Sequence, residues 1–200
     1  MNVWKPGITI GGIPLIVHAL FPVARVCRQI VIVGGYQFEK LGQLVRGSEK
    51  LSKADHKKIE IVENKKFTAG MFSSVKVGIA RADQSNDGIF VVPGDMPFID
   101  VETYRTLAAS FQKNPDVDVF VPAAFANSGG RDKPGESKKG HPILIRERLR
   151  ASILQENDDA VLRDVLKKKS SAICTVEDRG IFLDIDDEAD LERANSNYRK

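Results

Sequence analysis

Continuous apolar runs alternate with amphipathic stretches along most of this chain. Ile30-Val31-Ile32-Val33 is β-branched throughout and ends in Gly34-Gly35, and Gly88-Ile89-Phe90-Val91-Val92 is a second such run. Strands without polar alternation are buried on both faces, as in a sheet covered by helices. Val101, Tyr104, Leu107, Ala108 and Phe111 share one helical face, and Pro14 suits the first turn of a helix running toward Cys27. Weaker runs predict strands at Ile59–Val62, Val117–Val121, Pro142–Ile145, Ala172–Val176 and Ile181–Ile185. The strand–helix rhythm predicts an α/β fold: an open, mostly parallel sheet with helices on both faces.

One segment breaks the rhythm. Residues 126–140 are rich in Gly, Ser and charge and have no apolar period, which predicts an exposed loop within a single domain spanning 1–200. Composition agrees: 42% hydrophobic and 28% charged residues exclude wholesale disorder. The net charge, 30 − 27 = +3, comes from no basic tail, so a nucleic-acid partner is not implied and a small anionic substrate fits equally well. Cys27 and Cys174 form no CxxC pair, which excludes a disulfide scaffold. His18 and Pro22 interrupt the apolar stretch from Ile13 to Ala24, and no small-residue cleavage pattern follows. The chain therefore reads as soluble and cytoplasmic, with no membrane partner.

In an open α/β sheet, ligands bind beyond the carboxyl ends of the strands. Past the run ending in Val92 comes Pro93-Gly94-Asp95-Met96-Pro97, a carboxylate held in a turn. Such a group suits a hard cation such as Mg²⁺, although an Asp that only makes the turn has the same pattern. Near the C-terminus, Leu183-Asp184-Ile185-Asp186-Asp187-Glu188 places Asp184 and Asp186 on one side of an extended segment. Capping of the last helix accounts for Asp186 or Asp187 but not for Asp184. Pro142 holds His141 on extended backbone. Asn64 ends a strand, and Gly70-Met71-Phe72-Ser73-Ser74 opens a helix whose hydroxyls and free N–H groups can cap it or hold an anion. The chain contains no GxxxxGK[ST], GxGxxG, HExxH or GxSxG.

In order, Met1, Lys5, Gly12-Ile13-Pro14-Leu15, Asn64, Gly70-Met71, Ser73-Ser74, Gly94-Asp95-Met96-Pro97, Gly140-His141-Pro142 and Asp184-Ile185-Asp186 resemble the nucleotidyltransferases of the molybdenum-cofactor family. The likeness is strongest to the cytidylyltransferase branch. It begins at Met1, with Asn2 where the family has Gly. The family's opening strand and Gly-rich phosphate loop have no counterpart in these residues, so the resemblance implies a sheet without that strand.

The resemblance implies transfer of CMP from CTP to the phosphate of a molybdopterin-type cofactor, with release of pyrophosphate. Asp95 would be the principal Mg²⁺ ligand and Asp184 the second. Lys5 would neutralise phosphate charge, and Asn64 with Gly70, Met71, Ser73 and Ser74 would hold the nucleotide. His141 would face the acceptor. The implied partners are a nucleoside triphosphate, the molybdopterin cofactor and the molybdoenzyme that receives it. Alternatives within the fold are GMP transfer to the same cofactor and nucleotidyl transfer to a sugar phosphate. A module that binds nucleotide or cofactor without turnover is the alternative outside enzyme chemistry.

Overall fold

The computed structural model describes residues 4–125 and 137–198. After a 3-10 turn at Lys5–Gly7, β1 (Thr9–Ile10) and β2 (Ile13–Pro14) form a small hairpin that leads into α1 (Leu15–Val26). Then follow β3 (Ile30–Gly34), α2 (Phe38–Arg46), α3 (Lys53–Lys58), β4 (Ile59–Glu63), α4 (Met71–Arg81), β5 (Gly88–Val91) and α5 (Val101–Lys113). The second half holds β6 (Val119–Phe125), β7 (Ser137–Lys139), β8 (Ile143–Arg146), α6 (Arg150–Gln155), α7 (Leu162–Leu166), β9 (Ser171–Thr175) and α8 (Glu188–Tyr198).

β3 and β4 pair in parallel, Ile30 opposite Ile59 and Gly34 opposite Glu63. A second sheet runs β5-β8-β6-β7, with β9 joined to β6 in parallel. Within it β8 is antiparallel to both β5 and β6. Among the described residues no strand pairing joins β3 to β5. Helices bridge the two sheets instead, on both faces. On one face Ile16, Val17, Leu20 and Ala24 of α1 pack on Ile30 and Ile32 of β3. From the same helix, Val23 and Val26 reach Phe90 of β5 and Tyr104 of α5. On the other face α4 places Phe72 and Ile79 against Val119 and Ile145, while its Gly78 lies close to Val33.

Alternation in the strands explains this layering. Val119 and Ile145 face α4 and α6, whereas their neighbours Phe120 and Leu144 face α5. Phe120 and Ile145 are fully buried, and each such side chain stabilises the fold by about 1.5–3 kcal/mol.

Two expectations meet different structure. Ile181–Ile185 is not a strand: Arg179–Phe182 is a 3-10 turn followed by extended chain. Ile181 and Ile185 are both buried, but Gly180 packs so closely on the Phe98 carbonyl that a Cβ there would lie 1.9 Å from it. Of the stretch 126–140, residues 126–136 lie outside the described residues, and Ser137–Lys139 is exposed strand β7 on the end of β6. No described helix is long and apolar enough to cross a membrane.

Candidate active site

β5 and β8 are antiparallel with Val91 opposite Ile143, so the end of β5 and the start of β8 lie at one edge of the sheet. That edge gathers Asp95, four residues past β5, and His141, two before β8. The segment after the 3-10 turn at Arg179–Phe182 joins them, because the Ile185 N–H donates to the Asp95 carbonyl at 3.1 Å. The His141 N–H donates to the Ile181 carbonyl at 3.1 Å, and Gly140 makes this approach possible. A Cβ on Gly140 would sit 2.2 Å from the Ile181 oxygen.

Lys5 reaches into this group from the first described turn. Its Nζ lies 3.5 Å from Asp95 Oδ2 and also donates to Asp186 Oδ1. The bond to Asp186, with the Asp95 charge behind it, holds the ammonium above its ordinary pKa, and the same bond holds the Asp186 carboxyl below the usual carboxylate range. Asp184 behaves oppositely. Burial of its carboxyl, then the negative charges of Asp186 and Asp95, push its pKa up. Burial lowers the His141 pKa against the opposing pull of the Val91 backbone, Asp95 and Asp184. Its Nδ1 has no hydrogen-bond partner among the described residues.

The donor chemistry fits a divalent cation. Asp95 and Asp184 supply carboxylate oxygens whose mutual repulsion added positive charge would relieve. No three His, Cys, Asp or Glu side chains among the described residues converge into a closed cage. A cation held by two carboxylates takes its other ligands from water and phosphate, the usual arrangement for Mg²⁺ at nucleotide sites.

The predicted nucleotide segment is held by bonds within itself. Asn64 is buried; its Nδ2 donates to Ser73 Oγ at 2.8 Å and Ser74 Oγ at 3.0 Å, and its Oδ1 accepts from the Lys66 N–H at 2.9 Å. Ser73 Oγ lies 2.7 Å from the Gly70 carbonyl, which it faces as a donor. Neither Ser73 nor Ser74 caps α4: the capping position is Gly70, whose φ of 117° lies in the region that favours glycine. Met71 projects into solvent, 80% exposed.

Asp187 and Asp190 bond each other's backbone N–H groups and start α8, which assigns that capping role to Asp187 and leaves Asp186 to Lys5. The Lys5–Asp186 pair was not visible in the sequence, because nothing local marks it. Asp178, whose carboxylate bonds three donors behind the site, was missed although Asp178-x-Gly180 has the form of an Asx turn.

The model of the MobA-like NTP transferase domain matches residues 1–173. The chain belongs to that family. It is therefore a nucleotidyltransferase-type enzyme, and the edge that gathers Lys5, Asp95, His141 and Asp184 is its candidate active site.

Solved structures share the fold at low identity. The 4-diphosphocytidyl-2C-methyl-D-erythritol synthase of Anaerococcus prevotii DSM 20548 superposes with a TM-score of 0.73 at 14% identity, covering 100% of this chain and 92% of its own. A CMP:2-keto-3-deoxy-manno-octonic acid synthetase complexed with CTP gives 0.74 at 13% identity, with coverages of 98% and 91%. Rv0371c of Mycobacterium tuberculosis H37Rv, solved as a manganese complex, gives 0.68 at 17%, with coverages of 96% and 91%. No curated protein matches the chain.

Proposed function

We propose that this MobA-like transferase moves CMP from CTP onto the terminal phosphate of a molybdopterin-type cofactor, in the cytoplasm and with Mg²⁺. The observation that carries the reading is the convergence of Lys5, Asp95 and Asp184 at one sheet edge, with His141 beside them. Two neighbours are named for cytidylyl chemistry or bound to CTP, and a third was solved with manganese, which supports the nucleotide and a divalent cation. The molybdopterin acceptor and a recipient molybdoenzyme rest on the resemblance of Gly140-His141-Pro142 and Asp184-Ile185-Asp186 to the cytidylyltransferase branch.

In this reaction an oxygen of the acceptor phosphate forms a bond to the α-phosphorus of CTP. The bond from that phosphorus to the β-bridging oxygen breaks, and pyrophosphate leaves with the electron pair. The nucleophile is already an anion, so the protein needs no strong base. Asp95 and Asp184 would hold the divalent cation, which when bound offsets triphosphate charge. Lys5 exchanges the Asp186 carboxylate for phosphate oxygens, bringing a full positive charge to the reacting groups. His141 would face the acceptor, and burial, which lowers its pKa, favours the uncharged ring there. Asn64 fixes the turn from which Ser74 and the start of α4 meet the nucleotide.

Incubation with Mg²⁺, molybdopterin and either α-labelled CTP or α-labelled GTP tests the reading. Label should move from CTP into a cytidine dinucleotide cofactor with equimolar pyrophosphate. Transfer from GTP alone, or to a sugar phosphate but not to molybdopterin, would overturn it.

A further inference from the structure

Asp178 lies between β9 and the 3-10 turn, and its bonds tie that turn to the start of α5, just past the Asp95 loop. Its Oδ2 accepts from the Asp100 N–H at 2.7 Å and from the Thr103 hydroxyl at 2.7 Å. Its Oδ1 accepts from the Gly180 N–H at 2.7 Å. Thr103 is 2% exposed, so its hydroxyl is buried on its own side of the bond. One carboxylate thus closes the start of α5 and the start of the turn that leads to Asp184.

The two segments run alongside each other from there. Gly180 lies against the Phe98 carbonyl, and Ile185 N–H meets the Asp95 carbonyl at 3.1 Å. Asp178 fixes one end of this contact and Ile185 the other, with Asp95 and Asp184 at the Ile185 end. Burial of Ile181 and Ile185 sets how deep the segment sits but not its register along the loop. Charge-assisted bonds from Asp178 to two donors across the contact, the Asp100 N–H and the Thr103 hydroxyl, do set the register, while the Gly180 N–H fixes the carboxylate on its own turn.

We infer that Asp178 is a positioning residue: by holding residues 178–185 in register with residues 95–100, it sets the separation of Asp184 from Asp95 and hence the affinity of the pair for a divalent cation. The inference rests on the proposed reading that these carboxylates bind the cation. Asn cannot replace Asp178 fully. A carboxamide has one oxygen for donors lying on two sides, and its NH₂ would face an N–H.

Mn²⁺ titration of the full chain, followed by electron paramagnetic resonance with no substrate present, provides the test. Asp178→Asn should raise the Mn²⁺ Kd about tenfold or more, the size seen when groups that orient metal ligands are removed. Unfolding should remain cooperative. Thr103→Val should raise Kd less, and adding it to Asp178→Asn should bring no further loss, since both act through one connection. Asp187→Asn, which removes a helix cap nearby, should leave Kd unchanged. A lower melting temperature in Asp178→Asn with wild-type Mn²⁺ affinity would overturn the inference while leaving the metal reading intact. If Asp178→Asn does not fold, wild-type affinity in Thr103→Val overturns it. Failure of the folded wild-type chain to bind Mn²⁺ would remove the metal reading itself, and the inference with it.

Discussion

The Lys5 ammonium lies 3.5 Å from the Asp95 carboxylate, which ties the first described turn of the chain to the loop that leaves β5. The same ammonium is bonded to Asp186, so this cation offsets negative charge in a cluster that also contains Asp184.

Lys5→Ala separates charge neutralisation from metal binding. Removing a cation that competes for Asp95 should leave Mn²⁺ affinity equal to or tighter than wild type. Turnover should fall by about 10²-fold or more, as when one transition-state donor is lost. Both partners are partly exposed, so stability should change by no more than about 1 kcal/mol. Steady-state kinetics beside Mn²⁺ titration checks this; weaker Mn²⁺ binding in Lys5→Ala would place the lysine in a structural role.

If Asp184 holds the cation as proposed, its carboxyl, raised by burial and then by the Asp186 and Asp95 charges, should set the acid limit of metal binding. A proton and the cation compete for it, so affinity should begin to fall at a higher pH than an unshifted carboxylate would give. Apo stability follows the linkage sign of each acid. The native state binds the Asp184 proton more tightly than the unfolded chain does, so this group costs stability as pH rises through its raised value. Asp186, lowered by Lys5, contributes stability above its unfolded pKa that is lost as pH falls through its folded one. In Asp184→Asn the upper acid step in Mn²⁺ affinity should disappear, as titration across pH would reveal.

Asn64→Ala removes the donors to Ser73 and Ser74 and the acceptor of the Lys66 N–H. Leaving buried groups unpaired costs about 1–3 kcal/mol each, so denaturation should show a loss of that order together with a raised KM for CTP. A raised KM at wild-type stability would mean that the amide acts on the nucleotide and not on the turn.

Gly140→Ala forces a methyl to within 2.2 Å of the Ile181 carbonyl, so the backbone must shift. A loss of about 1–3 kcal/mol is expected from overpacking, with weaker Mn²⁺ binding because the same contact aligns His141 with the Asp184 segment. Calorimetry and Mn²⁺ titration on one sample measure both.

Much of this was legible in the sequence because it is local. The runs at Ile30–Val33 and Gly88–Val91 are β-branched or aromatic without polar alternation, and both are strands. Asp95 and His141 sit just outside strand ends, where a sheet exposes ligands. What escaped depends on distance in space. Ile181 and Ile185 have the apolar look of a strand, but the Gly180–Phe98 contact and the Asp178 cap impose a turn. The Lys5–Asp186 pair joins residues from opposite ends of the sequence. The bonds from the Asn64 amide to Ser73 and Ser74 also join residues nine and ten positions apart, which no local pattern marks.

The most direct measurement is Mg²⁺-dependent pyrophosphate release from CTP, with acceptor present, by the wild-type chain and by Asp95→Asn. Wild type should release pyrophosphate only when metal, CTP and acceptor are all supplied. Asp95→Asn should release none while its stability stays within about 1 kcal/mol of wild type. Equal release by the variant, or an unfolded variant whose folded fraction keeps wild-type metal affinity, would contradict the account, because Asp95 would then be a turn residue and the cation would bind elsewhere.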